Sequence, residues 1–210
     1  MILNEEIFGK LPERPVHLSV GVVLENKRFE EGRFTLRRHK MELEFADGIG
    51  SLHFTSVIPN GSDIHPAVII LSDKDCTEDA TAWARKGYAA FSIDYKDITA
   101  NNDNFKDGIS SYISPTRRKK SSAGKIAVWT WAAIRMLEYA EAFENIDKDN
   151  IGIAGNGILG LSAILGKEVT DKFRFVFVDS VLELSKDFVL SNPHLFSPNC
   201  CKAAVFDNFN

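Results

Sequence analysis

Ile151-Gly-Ile-Ala-Gly-Asn-Gly-Ile-Leu-Gly-Leu-Ser-Ala-Ile-Leu-Gly166 is the stretch on which the fold turns. Ile151–Ala154 is a short apolar run, the length of a strand buried on both faces. Gly155-Asn-Gly157 is a sharp turn, and Ile158–Lys167 has the length and composition of a helix. A strand, a glycine turn and a helix in immediate succession place the turn at the carboxyl end of a sheet strand. In open α/β sheets that is where ligands and chemistry sit. The apex residue is Gly157, which has no side chain.

The segments on either side repeat the same alternation. Ala67–Leu71 and Tyr88–Asp94 are buried-strand runs, and Phe173–Val178 is another. Thr77 is placed to cap a helix reaching about Lys86, with Glu78 and Asp79 in its first turn and Gly87 to end it. Ser121 or Ser122 opens the clearest helix, to about Phe143, with Ile126, Trp129, Ala133, Met136, Leu137 and Ala140 on one face. Strands alternating with helices imply a mostly parallel sheet with right-handed crossovers. Ahead of this core, His17–Leu24, Arg33–Phe45 and Ser51–Ile58 tend to alternate apolar and polar residues, as antiparallel strands do. Their turns fall at Glu30–Gly32 and Asp47–Gly50. Residues 1–15, with Pro12 and Pro15, read as an extended arm. Asn145–Asn150 reads as a polar connector and Asp97–Lys120 as a long surface loop with a short helix. The expectation is one domain over 1–210, with an antiparallel N-terminal part over 1–62 and an α/β core over 63–210.

Composition narrows the classes. A chain of 210 residues with 44% hydrophobic and 26% charged residues is that of an ordinary globular protein. Its net charge of −4 gives no general pull toward nucleic acid or an anionic membrane. The one basic run, Arg117-Arg-Lys-Lys120, is short for a nucleic-acid footprint. Cys76, Cys200 and Cys201 make no disulfide framework, and no Cys/His cluster has zinc spacing. With no signal peptide and no membrane-length apolar run, the expected setting is the cytoplasm.

Four segments together carry a family likeness: Phe8-Gly-Lys-Leu-Pro-Glu-Arg-Pro15, Gly87–Thr99, Gly124–Arg135 and Ile146–Gly155. On these the chain resembles the α/β-hydrolase esterases that include acetylxylan esterase-like and glucuronoyl esterase-like proteins. The resemblance runs from about Ile7 to Pro198. It implies a nucleophile elbow of the form Gly-x-Ser-Arg-x-Gly, often followed by Lys. Gly155 and Gly160 match its glycines. Gly157 stands for the serine, Ile158 for the arginine and Leu161 for the lysine. It also implies an acid and a histidine downstream, in hydrolase order. About fifty residues follow Gly157, so the final strands and the histidine loop are expected to be missing. The elbow Gly155, Asn156, Gly157, Ile158 and Gly160 is therefore read as vestigial, with no catalytic residue, metal or cofactor assigned.

Substitute chemistry has few candidates. Ser162 lies on the elbow helix and reads as a packing serine. His194, the only downstream histidine, lies between Pro193 and Leu195 in a loop. Asp179 ends a strand, where an acid or a cofactor ligand belongs. Ser72 and Asp73 follow the first buried strand, near where an oxyanion donor would come from. Cys76 sits beside Asp73 and Asp75, which raise rather than lower a thiol pKa. Asp94, Asp97, Asp103 and Asp107 are loop carboxylates with no EF-hand spacing.

A second reading stays open. Gly155-x-Gly157-x-x-Gly160 with Asp179 about twenty residues on also fits the dinucleotide fingerprint. Two buried strands precede it, where that fold begins with the motif. The function expected is a catalytically degenerate carbohydrate-esterase-like hydrolase. The alternatives are an active carboxylic ester hydrolase with an unrecognised nucleophile, and a dinucleotide-binding protein. A homodimer or protein partner at the sheet edge Phe173–Val178 or at Val181–Phe196 is expected, as is a pocket suited to a small molecule or carbohydrate, with no nucleic acid and no membrane.

Overall fold

The computed structural model describes residues 2–114, 117–180 and 185–200. Among these a seven-stranded sheet runs through the chain in the order β1-β2-β3-β5-β4-β6-β7. The strands are β1 (His17–Arg28), β2 (Phe34–Phe45), β3 (Gly48–Pro59), β4 (His65–Ser72), β5 (Ala89–Asp94), β6 (Ile146–Ala154) and β7 (Phe175–Phe177). β1, β2, β3 and β5 pair antiparallel in that order, while β4 pairs parallel with both β5 and β6, and β6 with β7. This is a mixed α/β-hydrolase-like sheet. The buried runs foreseen as neighbouring strands do lie side by side.

The continuous apolar runs follow from covering both faces. On β4, Val68 and Ile70 face one cluster, packed against helix α2 (Cys76–Ala84). Ala67, Ile69 and Leu71 face the larger cluster on the other side. Helices α3 (Lys125–Ala140) and α4 (Ile158–Val169) close that second face. Every α3 position foreseen as its apolar face is fully buried.

Four local expectations are corrected. The arm begins with helix α1 (Ile2–Phe8). It ends where Gly9, at φ 84°, returns its N–H to the Glu5 carbonyl. The cap of α2 is Asp75, whose carboxylate accepts from Thr77 N at 2.7 Å and Glu78 N at 3.1 Å, so the helix starts before Thr77. The expected connector over Asn145–Asn150 is mostly strand, because Ile146 pairs with His65 and β6 continues outward with polar, largely exposed side chains. His194, expected in a loop, lies in a 3₁₀ turn (Pro193–Leu195) that follows helix α5 (Lys186–Ser191). Val181–Leu184 and Cys201 lie outside the described residues. No described helix is long and apolar enough to cross a membrane.

Candidate active site

The turn after β6 is pinned by its backbone. Gly155 N–H donates to Phe177 O at 3.1 Å and Gly157 N–H to Ser180 O at 2.9 Å. The Asn156 side chain accepts from Asp179 N–H at 3.3 Å. Leu159 and Gly160 return their N–H groups to Asn156 O and Gly157 O, opening α4. Gly157 adopts φ 56°, ψ −119°, a conformation that strains any other residue. This is the sharp strand-to-helix turn that presents a nucleophile in hydrolases of this architecture.

The three glycines are present for different reasons. A Cβ on Gly155 would fall 2.5 Å from Leu159 O, and one on Gly160 would fall 2.7 Å from Val178 Cγ1. Those two positions are closed by packing. A Cβ on Gly157 would meet nothing within 4 Å. The apex is open space held in a hydrolase-like backbone conformation.

Other candidate residues are occupied elsewhere. Ser162 is fully buried and its hydroxyl points at Ile126 O, 3.3 Å away, in the packing between α3 and α4. Ser72 donates to the Asp79 carboxylate and accepts from Lys74 N–H at 3.0 Å. Burial, with the Asp94, Asp79 and Asp75 charges, pushes the Cys76 thiol up to about 11, so it is no thiolate at neutral pH.

The loop carboxylates are likewise dispersed. Asp94 caps the one-turn helix Tyr95–Ile98, accepting from Lys96 N–H at 2.9 Å. Asp97 accepts from the His53 backbone N–H. Asp107 faces the fully buried Lys125 ammonium at 3.0 Å. Burial pushes the Asp107 carboxyl up, but hydrogen bonds from Lys125, Thr99 and Ala100 outweigh it and leave the pKa below the usual range. Burial lowers the Lys125 pKa, against the pull of Asp107. Asp103 pairs with His194 Nδ1 at 3.2 Å, while His194 Nε2 lies 2.7 Å from Asn101 Oδ1. Burial lowers the His194 pKa, partly offset by Asp103. Both ring nitrogens are thus spent on the 101–103 loop. Arg118 of the basic run is not simply solvated. It donates to Ala123 O at 2.9 Å and lies 3.8 Å from the Phe105 ring centroid.

One serine–histidine contact escaped the sequence reading. Ser56 Oγ lies 2.8 Å from His39 Nε2, and Tyr139 OH lies 3.3 Å from His39 Nδ1. His39 also stacks on Phe54, its cross-strand partner, at 4.6 Å. The pair has the spacing of a nucleophile and base. It is sealed, with Ser56 at 0% and His39 at 1% exposure, and burial drives the imidazole pKa down to about 4. The alternation in β2 and β3 would not have revealed it, because it depends on the register between them.

A cleft of about 480 Å³ lies at the carboxyl ends of β4 and β6, beside the turn. Ser72, Asp79, Trp83, Asn156, Phe177 and Asp179 are among its walls. Ser72, Asp73 and Asp179, placed near the site by the sequence, do come together here.

No protein-family model matches the chain, and no curated protein does. Solved structures do. A glucuronoyl esterase from Solibacter usitatus superposes with a TM-score of 0.78 at 20% identity, over 96% of this chain and 64% of that one. A CE15 glucuronoyl esterase from Teredinibacter turnerae gives 0.81 at 17% identity, over 97% of this chain and 58% of that one. A Bacteroides fragilis protein provisionally assigned as an acetyl xylan esterase gives 0.58 at 13% identity, over 83% of this chain and 50% of that one. The chain spans less than two thirds of the length of these esterases. The glycine turn, the sheet order and these likenesses agree: the protein has the α/β-hydrolase fold seen in carbohydrate esterases.

Proposed function

We propose that the chain is a catalytically degenerate carbohydrate-esterase-like α/β-hydrolase, without serine esterase activity. The observation that carries the reading is Gly157 at the apex of an intact elbow, at φ 56° and ψ −119° with open space where a side chain would stand. Ile158 and Leu161 likewise bring no polar group to the turn. A covalent hydrolase needs a nucleophile and base in contact and open to substrate. The Ser56–His39 contact is closed to solvent, and Ser72 is committed to Asp79. Removing a nucleophile or base from such a unit abolishes nearly all of its acceleration, on the order of 10⁶-fold.

The dinucleotide reading is disfavoured by the same turn. Phosphate binding at a helix start needs free backbone N–H groups, and those of Gly157, Leu159 and Gly160 donate inside the protein. Asp73, Asp79 and Asp179 around the adjoining cleft oppose a pyrophosphate. A cytoplasmic setting belongs to this proposal too, with Cys76 as a free thiol.

The test is p-nitrophenyl acetate turnover together with labelling by a fluorophosphonate. Neither is expected above background. Gly157→Ser alone is expected to remain inactive, because no histidine is hydrogen-bonded near the turn among the described residues. Stoichiometric labelling of any serine overturns the reading. Saturable NAD or FAD binding that is lost in Gly155→Val promotes the dinucleotide alternative.

A further inference from the structure

We propose that the cleft between α2 and the ends of β4 and β6 is a binding site for a neutral saccharide unit. The cleft does not include Gly157, so the proposal stands whether or not the chain hydrolyses esters. β4 and β6 are neighbours, and the chain goes from β4 to β5 on one side but from β6 to β7 on the other. That reversal opens a crevice at the carboxyl ends of the strands, the general ligand position in open α/β sheets. At about 480 Å³ the cleft has the size of a small-ligand site.

Its walls divide by chemistry. One wall is aromatic: Trp83 lies 4.5 Å from Phe177 and 5.2 Å from Tyr88, centroid to centroid. All three rings are half-buried, so each keeps surface to offer. The rest of the lining includes Ser72, Asp79, Asn156 and Asp179. Carboxylates are acceptors only, and Asn156 supplies both a donor and an acceptor. A pyranose ring matches this division, with C–H groups toward the rings and hydroxyl donors toward the acids.

Charge selects against the alternatives. Asp73, Asp79 and Asp179 outnumber Lys74 and Lys86 around the cleft, so a uronate or phosphate meets net repulsion. An organic cation is the other ligand that aromatic rings attract. Here Lys86 Nζ already lies 4.8 Å from the Trp83 ring centroid, and the chain's own ammonium takes that place. A neutral polyol suits both conditions. Asp79 is held by the Ser72 hydroxyl and Asn156 by the Asp179 N–H. Polar groups held in place before binding lose little freedom when ligand arrives.

The experiment is calorimetry with saturation-transfer NMR on the full chain, using xylotriose and cellotriose as neutral probes. Glucuronate, AMP and tetramethylammonium are the charged comparisons. Saturable millimolar binding of at least one neutral probe is expected, with each charged comparison at least ~10-fold weaker, about 1.4 kcal/mol. Trp83→Ala and Asp179→Asn should each weaken the neutral probe by about 10-fold. Asp179 is exposed, so its variant keeps the test alive if Trp83→Ala does not fold. Val23→Ser, on the far edge of the sheet, should bind as the unaltered chain does. No saturation with either neutral probe overturns the proposal. So does tighter binding of a charged comparison, or binding unchanged in folded Asp179→Asn.

Discussion

Acidification from pH 7 to pH 5 should destabilise this protein, chiefly through one buried imidazole. His39 is 1% exposed, and burial, with a smaller contribution from Arg37, lowers its pKa from 6.5 to about 4. The folded state therefore keeps it neutral while the unfolded chain protonates it below its ordinary value. Below that value the unfolded state binds the extra proton, so stability falls as pH falls. At pH 5 the gap is about 1.5 pH units, or ~2 kcal/mol; the full loss, reached only near pH 3, is ~3.4 kcal/mol. Urea unfolding at pH 7 and pH 5 measures the loss. His39→Gln keeps a polar partner for Ser56 and cannot titrate. Its stability should therefore change ~2 kcal/mol less between the two pH values than that of the unaltered protein. The difference isolates His39 from the carboxylates and from His194, whose pKa is also lowered. Equal losses in both proteins, or an NMR pKa for His39 near 6.5, would refute the reasoning.

Three other outcomes are expected. Lys125→Met leaves Asp107 without its buried ammonium partner; it should cost ~3–5 kcal/mol in urea unfolding, partly recovered by adding Asp107→Asn. A cost under ~1 kcal/mol would count the pair as unimportant. Gly160→Val drives a side chain into Val178, which a Cβ alone would approach to 2.7 Å; overpacking of this kind costs ~1–3 kcal/mol, readable as a lower Tm. Finally, we propose self-association or a protein partner through β7. Its residues Phe175-Val176-Phe177 carry no charge, proline or bulge to guard the edge. Light scattering at micromolar concentration should show a dimer that Val176→Lys dissociates, and a strict monomer would defeat the proposal.

The core strands were legible in the sequence because Ala67–Leu71, Ala89–Ile93 and Ile151–Ala154 are buried on both faces and so are mostly apolar. Pairing distance and backbone capping were less visible. The Ser56–His39 contact depends on the β2–β3 register, and neither residue stands out in its own strand. Ile146–Asn150 reads as a connector because its exposed side chains are polar, yet its backbone still follows the sheet. Asp75 outcompetes Thr77 as a cap because its carboxylate reaches two free N–H groups at once. At the elbow, the residue types were enough to expect the turn. They were not enough to separate the glycines that packing demands from the one at the apex.

β1 has the opposite character to β7. It carries a register break between Val22 and Leu24, and its outer half ends in Glu25, Lys27 and Arg28. The two rims of the sheet are thus built to different rules.

The bare apex at Gly157 also makes the fold a mounting point for a reactive group. Two flanking glycines and two backbone hydrogen bonds hold the peptide there in its unusual conformation. An engineer grafting a reactive group onto an ordinary loop must also build the rigid support beneath it. Here that support exists already, and only the side chain and its partners have to be supplied.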